Sequence, residues 1–226
     1  MQTYLFPYLG YFQLIAAVDH FVVHDDVQYI KGGWFKLNSV FSNGGPYAFT
    51  FSVQKASSYL DINLRHYSEL EKQTEDFLAR LRNFYTKAPH LSEVMELLTG
   101  VFCSPPSNVS TFNTKTIEAI SRYLGISTTF SFASELNLKD YRSSEKVIKI
   151  NQHFKANTYI NPIGGETLYS KEEFSHSGLE LFFIKSKETV YDQGKGAFVS
   201  NLSILDVMMF NSKERLSQLL THYELI

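Results

Sequence analysis

The chain opens on a short apolar run, "TYLF" at 3–6, which Pro7 and Gly10 break. It resumes with Phe12, Ile15 and Val18 at helical spacing within 11–19. "HFVVHDDV" at 20–27 is apolar and β-branched until Asp25, so it reads as a strand closed by a polar loop. Strand, tight turn, helix and strand within about 25 residues make a βαβ unit, which calls for parallel strands. Two glycine pairs and the alternation of Tyr47, Phe49, Phe51 and Val53 predict a hairpin next. Residues 67–100 switch to helical periodicity, with one helix ending ahead of Pro89 and a second running on to Gly100. A loop leads into a helix of about 15 residues closed by Gly125. The alternation then returns, with a strand at 126–134, a helix at 143–156, a strand at 157–165 and another at 178–185. One or two helices fill 202–222. The pattern predicts an α/β fold, a mostly parallel sheet flanked by helices. It forms a single domain over 1–226 with a helical insertion at about 65–125.

Composition narrows the classes. A chain of 226 residues that is 44% hydrophobic fills a sizeable core. Its net charge of −2 supplies no basic excess for a nucleic-acid backbone, so nucleic acid is not an expected partner. The single cysteine, Cys103, excludes an intramolecular disulfide and fits a reducing cytosol; it reads as a small buried or half-buried residue. No signal-peptide pattern and no apolar run near the roughly 20 residues of a membrane helix are present, so a cytoplasmic protein without membrane insertion is expected.

Five stretches hold candidate chemistry. Tyr8-Leu9-Gly10-Tyr11 lies between the first strand and the first helix. Amides at a helix start point outward and, with the helix dipole, favour an anion, while Gly10 admits close approach to the backbone. A packed turn explains the same residues. Asp25 and Asp26 follow the second strand, and the carboxyl ends of parallel strands line ligand crevices. Adjacent carboxylates there can hold a divalent cation such as magnesium, bind a sugar hydroxyl or act as general base. Gln28, Lys31 and Trp34 follow at once, and Asp25, Asp26 and Lys31 are the candidates for catalysis. In "YRSSEKVIKI", Arg142, Ser143, Ser144 and Lys146 form a second candidate anion site, with Ser143 or Ser144 as helix cap. A basic side chain in a first helical turn opposes the dipole unless an anion sits there. Asn161, Gly164, Gly165 and Tyr169 of "NPIGGETLY" project over the same rim, and Tyr191 and Gln193 lie in a glycine-rich loop. Of seven histidines, only His20 and His24 stand at His-x-x-x-His spacing, and they lie along the predicted second strand with no Cys partner, so no zinc or other metal site is expected. No phosphate-binding Gly-x-x-x-x-Gly-Lys loop, Gly-x-Ser-x-Gly elbow or Gly-x-Gly-x-x-Gly fingerprint occurs.

The Tyr8–Tyr11 spacing resembles the His-x-Gly-His signature of the nucleotidylyltransferase superfamily, with tyrosine at both histidine positions. "Ser-Ser-Glu-Lys" loosely resembles that superfamily's Ser-Ser-Thr-x-x-Arg. These resemblances imply a nucleotidylyltransferase-like or Rossmann-like sheet. A wider set of motifs runs in order along nearly the whole chain: Gln2, then "Y-L-F-P-Y-L-G-Y-F", then "D-D-V-Q-Y-x-K-x-x-W" reaching Asn38. "Y-x-x-A-P-H-L", "S-S-E-K-V-I", "Y-I-N-P-I-G-G-x-x-L-Y", "G-L-E-L-x-F" and "L-S-I-L-D" follow. Together they resemble the WbqC-like protein family, named from a gene of a lipopolysaccharide O-antigen cluster. The chain departs at Lys36-Leu37-Asn38, where members carry Asn-Arg-Asn, at Thr3 in place of proline, and in "VMMFNSKE". Loss of the arginine removes one anion contact.

The resemblance implies a role in bacterial surface-polysaccharide assembly. The expected activity is a transferase or ligase that moves an activated sugar, acyl or aminoacyl group with a phosphate-containing ligand such as a sugar nucleotide. The rival expectation is a non-catalytic module that binds a sugar nucleotide. The cofactor is left open between none and magnesium.

Overall fold

The computed structural model describes residues 1–226 apart from Asn43 and Lys195. Helix α1 (Leu9–Ala16) leads to strand β1 (His20–Val23) and to a hairpin of β2 (Leu37–Ser42) and β3 (Gly45–Thr50). Helices α2 (Leu70–Phe84), α3 (Leu91–Val101) and α4 (Val109–Tyr123) follow, then β4 (Thr129–Phe132), α5 (Ser143–His153) and β5 (Thr158–Pro162). The chain closes with α6 (Lys171–His176), β6 (Glu180–Ser186), α7 (Ile204–Phe210), α8 (Lys213–Leu220) and β7 (Tyr223–Leu225). Asn108 caps α4 by accepting from the Thr111 amide, and Gly125, at φ 77°, closes it.

The fold is α/β, built on small sheets. β1 runs parallel to β4, β5 runs parallel to β6, and β7 adds antiparallel to β6. β5, α6 and β6 form a βαβ unit. The faces of β1 are set by strand alternation: Phe21 packs on Tyr11 of α1 (centroids 5.6 Å apart), whereas His20 stacks on Phe154 just past α5 (4.0 Å). Helices α1 and α5 therefore cover opposite faces of β1. The main core is aromatic, with Phe6 meeting Phe49, Phe51, Phe77 and Phe102 beneath the hairpin and α2.

Several local expectations are corrected. Residues 3–6 are no strand. Phe6 sits at φ 46°, outside any strand conformation, and its carbonyl is taken by Asn38 Nδ2 (2.7 Å) and Ser203 Oγ (2.8 Å). The residue that does pair with β1 is Met1, whose nitrogen donates to the Val22 carbonyl and whose carbonyl accepts from the His24 amide, each at 2.8 Å. β1 itself stops at Val23, where Asp25 turns to cap another segment. Cys103 is exposed, because the turn ending α3 buries Phe102 and leaves the thiol outside. Neither Ser143 nor Ser144 caps α5: Arg142 is the N-cap residue and makes no side-chain cap, while Ser144 Oγ donates to Glu173.

Candidate functional site

A cleft of about 710 Å3 opens where α1 begins and where β5 and β6 end. Tyr8 precedes the first helical turn, bridged to Ser203 and with its carbonyl taken by the Tyr11 amide (3.1 Å), while the Gly10 amide has no backbone acceptor among the described residues. Asn161 and Pro162 end β5, Lys185 and Ser186 end β6, and the turn after β5 contributes Gly164, Gly165 and Tyr169. Trp34 comes from the loop after β1 and stands 55% exposed, and Leu168 stands 72% exposed; both line the cleft. Exposed aromatic and aliphatic faces of this size mark a place for a ring or an apolar group.

The polar wall is largely pre-set. Asn38 Nδ2 donates to the Leu5 and Phe6 carbonyls, and its Oδ1 accepts from the Ser39 amide, so this side chain holds the bend before the helix. Asn161 Oδ1 accepts from Tyr159 Oη at 3.1 Å. Burial raises the Tyr8 pKa, and burial with neighbouring Tyr8 raises that of Tyr4, so both hydroxyls stay protonated near neutrality. Burial likewise raises the Tyr169 pKa. The cleft thus offers neutral donors, the Gly10 amide and, at its edge, the Lys185 ammonium, which lies 3.5 Å from Glu224 Oε1 across the β6–β7 pair.

Two glycines have steric reasons. A Cβ on Gly10 would lie 2.6 Å from Ser186 Oγ and 2.6 Å from the Tyr8 ring, so α1 approaches β6 only with glycine there. A Cβ on Gly165 would collide with Asn161 Nδ2. Gly164 faces open space.

Of the sequence candidates, Tyr8, Gly10, Trp34, Asn38, Asn161, Gly164, Gly165 and Tyr169 come together at this cleft. The others go elsewhere. Asp25, 3% exposed, accepts from the Ser134 amide (3.0 Å) and Ser134 Oγ (2.7 Å). Asp26 Oδ2 accepts from Lys146 Nζ at 2.6 Å, so the anion at the start of α5 is the protein's own carboxylate. Asp26 Oδ1 is buried without a hydrogen-bond partner. Neither aspartate is among the cleft-lining residues. Among the described residues no group of three or more His, Cys, Asp or Glu side chains is placed to hold a metal ion. Gln28 donates to the Ser58 carbonyl, Lys31 is exposed on the same loop, and Arg142 folds back on the carbonyls of Lys139 and Tyr141. Gln2 accepts through its carbonyl from Tyr11 Oη (2.8 Å), which buries that tyrosine beneath the turn.

Tyr191 and Gln193 serve a buried carboxylate. Tyr85 Oη and Tyr191 Oη each donate to Asp206 at 2.6 Å, and Gln193 Nε2 donates at 3.0 Å. Burial raises the Asp206 pKa, and these three donors oppose that shift. The network ties the 191–199 loop to α7 behind the cleft.

Sequence reasoning passed over Tyr4, Leu168, Lys185, Ser186 and Asn201, all of which line the cleft. The strand-end rule that selected Asn161 also selects Lys185 and Ser186, which end the neighbouring strand. Among the described residues no helix is long and apolar enough to cross a membrane.

Comparison with known proteins bears on the whole chain. A protein of Mycobacterium tuberculosis (strain ATCC 25618 / H37Rv), described as "Uncharacterized protein Rv1507c", is 27% identical over 213 residues, covering 93% of this chain and 91% of that protein. No solved structure matches. The model of the WbqC-like protein family matches residues 2–218, a span that contains every residue of the cleft except Met1, and the chain belongs to that family.

Proposed function

We propose that the cleft binds a phosphate-bearing sugar, such as a sugar nucleotide, and that the protein transfers a group on that ligand during assembly of a bacterial surface polysaccharide in the cytoplasm. One observation carries the reading: the start of α1, the carboxyl ends of β5 and β6, and the Trp34 loop converge on one cavity. The phosphate lies against the Gly10 amide at the helix start and draws Lys185 from its exposed partner Glu224 as counter-charge, and the sugar or base ring lies on Trp34. Tyr8 and Tyr169 donate neutral hydrogen bonds. Transfer at phosphorus draws mainly on positioning and charge stabilisation, which suits a cleft whose described lining has no carboxylate or imidazole. Asp25 holds the turn after β4 and the Asp26–Lys146 pair holds the start of α5, acting on the cleft through the backbone.

The same lining favours a second reading, a module that binds the sugar nucleotide and leaves chemistry to a partner. Calorimetry with a panel of sugar nucleotides, sugar phosphates and nucleotides, followed by mass analysis of products with candidate acceptors, separates the two. Binding with product supports the transferase, and binding without product over hours supports the module. Absence of binding by every phosphate-bearing sugar at millimolar concentration refutes both. The Trp34→Ala variant, folded and at least tenfold weaker in affinity, ties the signal to this cleft.

A further inference from the structure

A second cavity, of about 750 Å3, separates β1 from β5 and is walled by residues of both strands together with α1 and α5. Its backbone chemistry follows from ladder parity. The Thr129 amide donates to the Asp19 carbonyl, so Phe21 and Val23 turn their backbone groups to β4, and His20, Val22 and His24 turn theirs away. The Glu180 amide donates to the Asn157 carbonyl, so Tyr159 and Asn161 serve β6, and Thr158 and Ile160 face away. Two parallel strands thus present open edges to one slot. Met1 occupies its carboxyl end in ladder geometry, with its nitrogen on the Val22 carbonyl and its carbonyl on the His24 amide, the pairing of a residue parallel to β1 opposite Val23. Left over are the amide and carbonyl of His20, the amide of Val22, and both groups of Thr158 and Ile160. None has a backbone partner among the described residues outside its own ladder. These four residues are half-buried, and a parallel sheet covered on both faces is ordinarily continuous rather than split by two open edges.

We infer that this slot is a strand-acceptor site, which takes one extended segment of about four residues, parallel to β1 and joined through the nitrogen of Met1. Register is set by Met1. The residue two places ahead of it donates to the His20 carbonyl and accepts from the Val22 amide. The residue between faces β5 and meets Thr158 and Ile160. Leu14 and Phe21 line the α1 side and Val147 and Ile150 the α5 side, so the occupant is apolar on both faces. Filling the slot makes β4, β1, the added strand, β5, β6 and β7 one sheet. The ends of its central strands then face the cleft at Met1 and Asn161, which line both cavities.

The test compares the full chain with two versions carrying six extra residues ahead of Met1, one apolar and β-branched, the other glycine and serine. The apolar extension is expected to raise Tm by about 5 °C or more and to slow hydrogen exchange at the His20, Val22, Thr158 and Ile160 amides at least tenfold. The glycine–serine extension should do neither. Equal exchange in the two extended chains overturns the inference. If the apolar chain precipitates, the same hexapeptide is added at millimolar concentration to the unmodified chain; protection of those four amides supports the slot and its absence refutes it.

Discussion

Removing one partner of the Asp26–Lys146 pair should damage the protein far more than removing both. The two atoms lie 2.6 Å apart, and the side chains are 1% and 9% exposed for Asp26 and Lys146. In Asp26→Asn the ammonium keeps its burial and loses its counter-charge, at a cost of about 3–5 kcal/mol. Lys146→Met strands the carboxylate, whose Oδ1 already lacks a partner, at a similar cost. For a chain of this length each loss lowers Tm by roughly 6–20 °C. The double variant Asp26→Leu/Lys146→Met replaces the pair with apolar volume and should return to within about 1 kcal/mol of the parent. Urea unfolding followed by circular dichroism gives the four corners of the cycle, with an expected coupling of about 3 kcal/mol or more. The double variant should also keep ligand affinity, because the pair acts through the backbone. Additive losses in the double variant would refute the reasoning, and a folded double variant that binds ligand yet forms no product would return Asp26 to the catalytic group.

Three other outcomes follow from named contacts. Gly10→Ala should cost about 1–3 kcal/mol by calorimetry, because the added methyl meets Ser186 and Tyr8, whereas Gly164→Val should leave Tm unchanged and weaken ligand at least tenfold by filling the cleft. Tyr191→Phe should cost about 2 kcal/mol in urea unfolding, since Asp206 loses a charge-assisted bond while still buried; an unchanged midpoint would count against the network. The Met1 ammonium has a folded pKa of about 5 against an ordinary 8.0, so the unfolded chain binds the extra proton between those values and stability rises with pH across that window. Stability at pH 6 should fall about 3 kcal/mol below that at pH 9. His24, lowered first by the neighbouring ammonium and then by burial, adds a loss of the same sign below its ordinary 6.5. Acetylation of Met1 should flatten the slope above pH 6.5; an unchanged slope would place the titration elsewhere.

What was legible in the sequence was what neighbours in the chain decide. Gly125 ends α4 at a positive φ, Pro89 separates α2 from α3, and the alternation from 126 to 185 gives β4, α5, β5 and β6. The strand-end rule selected Asn161, Gly164, Gly165 and Tyr169 because residues after a parallel strand reach the rim whatever lies elsewhere. What failed depended on distant partners. Nothing around Lys146 announces that its anion is Asp26, 120 residues earlier, and nothing around Tyr191 announces Asp206. The opening run shows the limit most directly. "TYLF" has a strand's composition, but Asn38 and Ser203 capture the Phe6 carbonyl, Phe6 turns to φ 46°, and the run enters the aromatic core. The same captures fix the bend from which α1 starts, so the residues that remove a strand beside β1 also aim the helix start at the cleft. An apolar run records only that a segment is buried. Whether it becomes a strand depends on which donors reach its carbonyls first, and here those donors sit on β2 and at the start of α7.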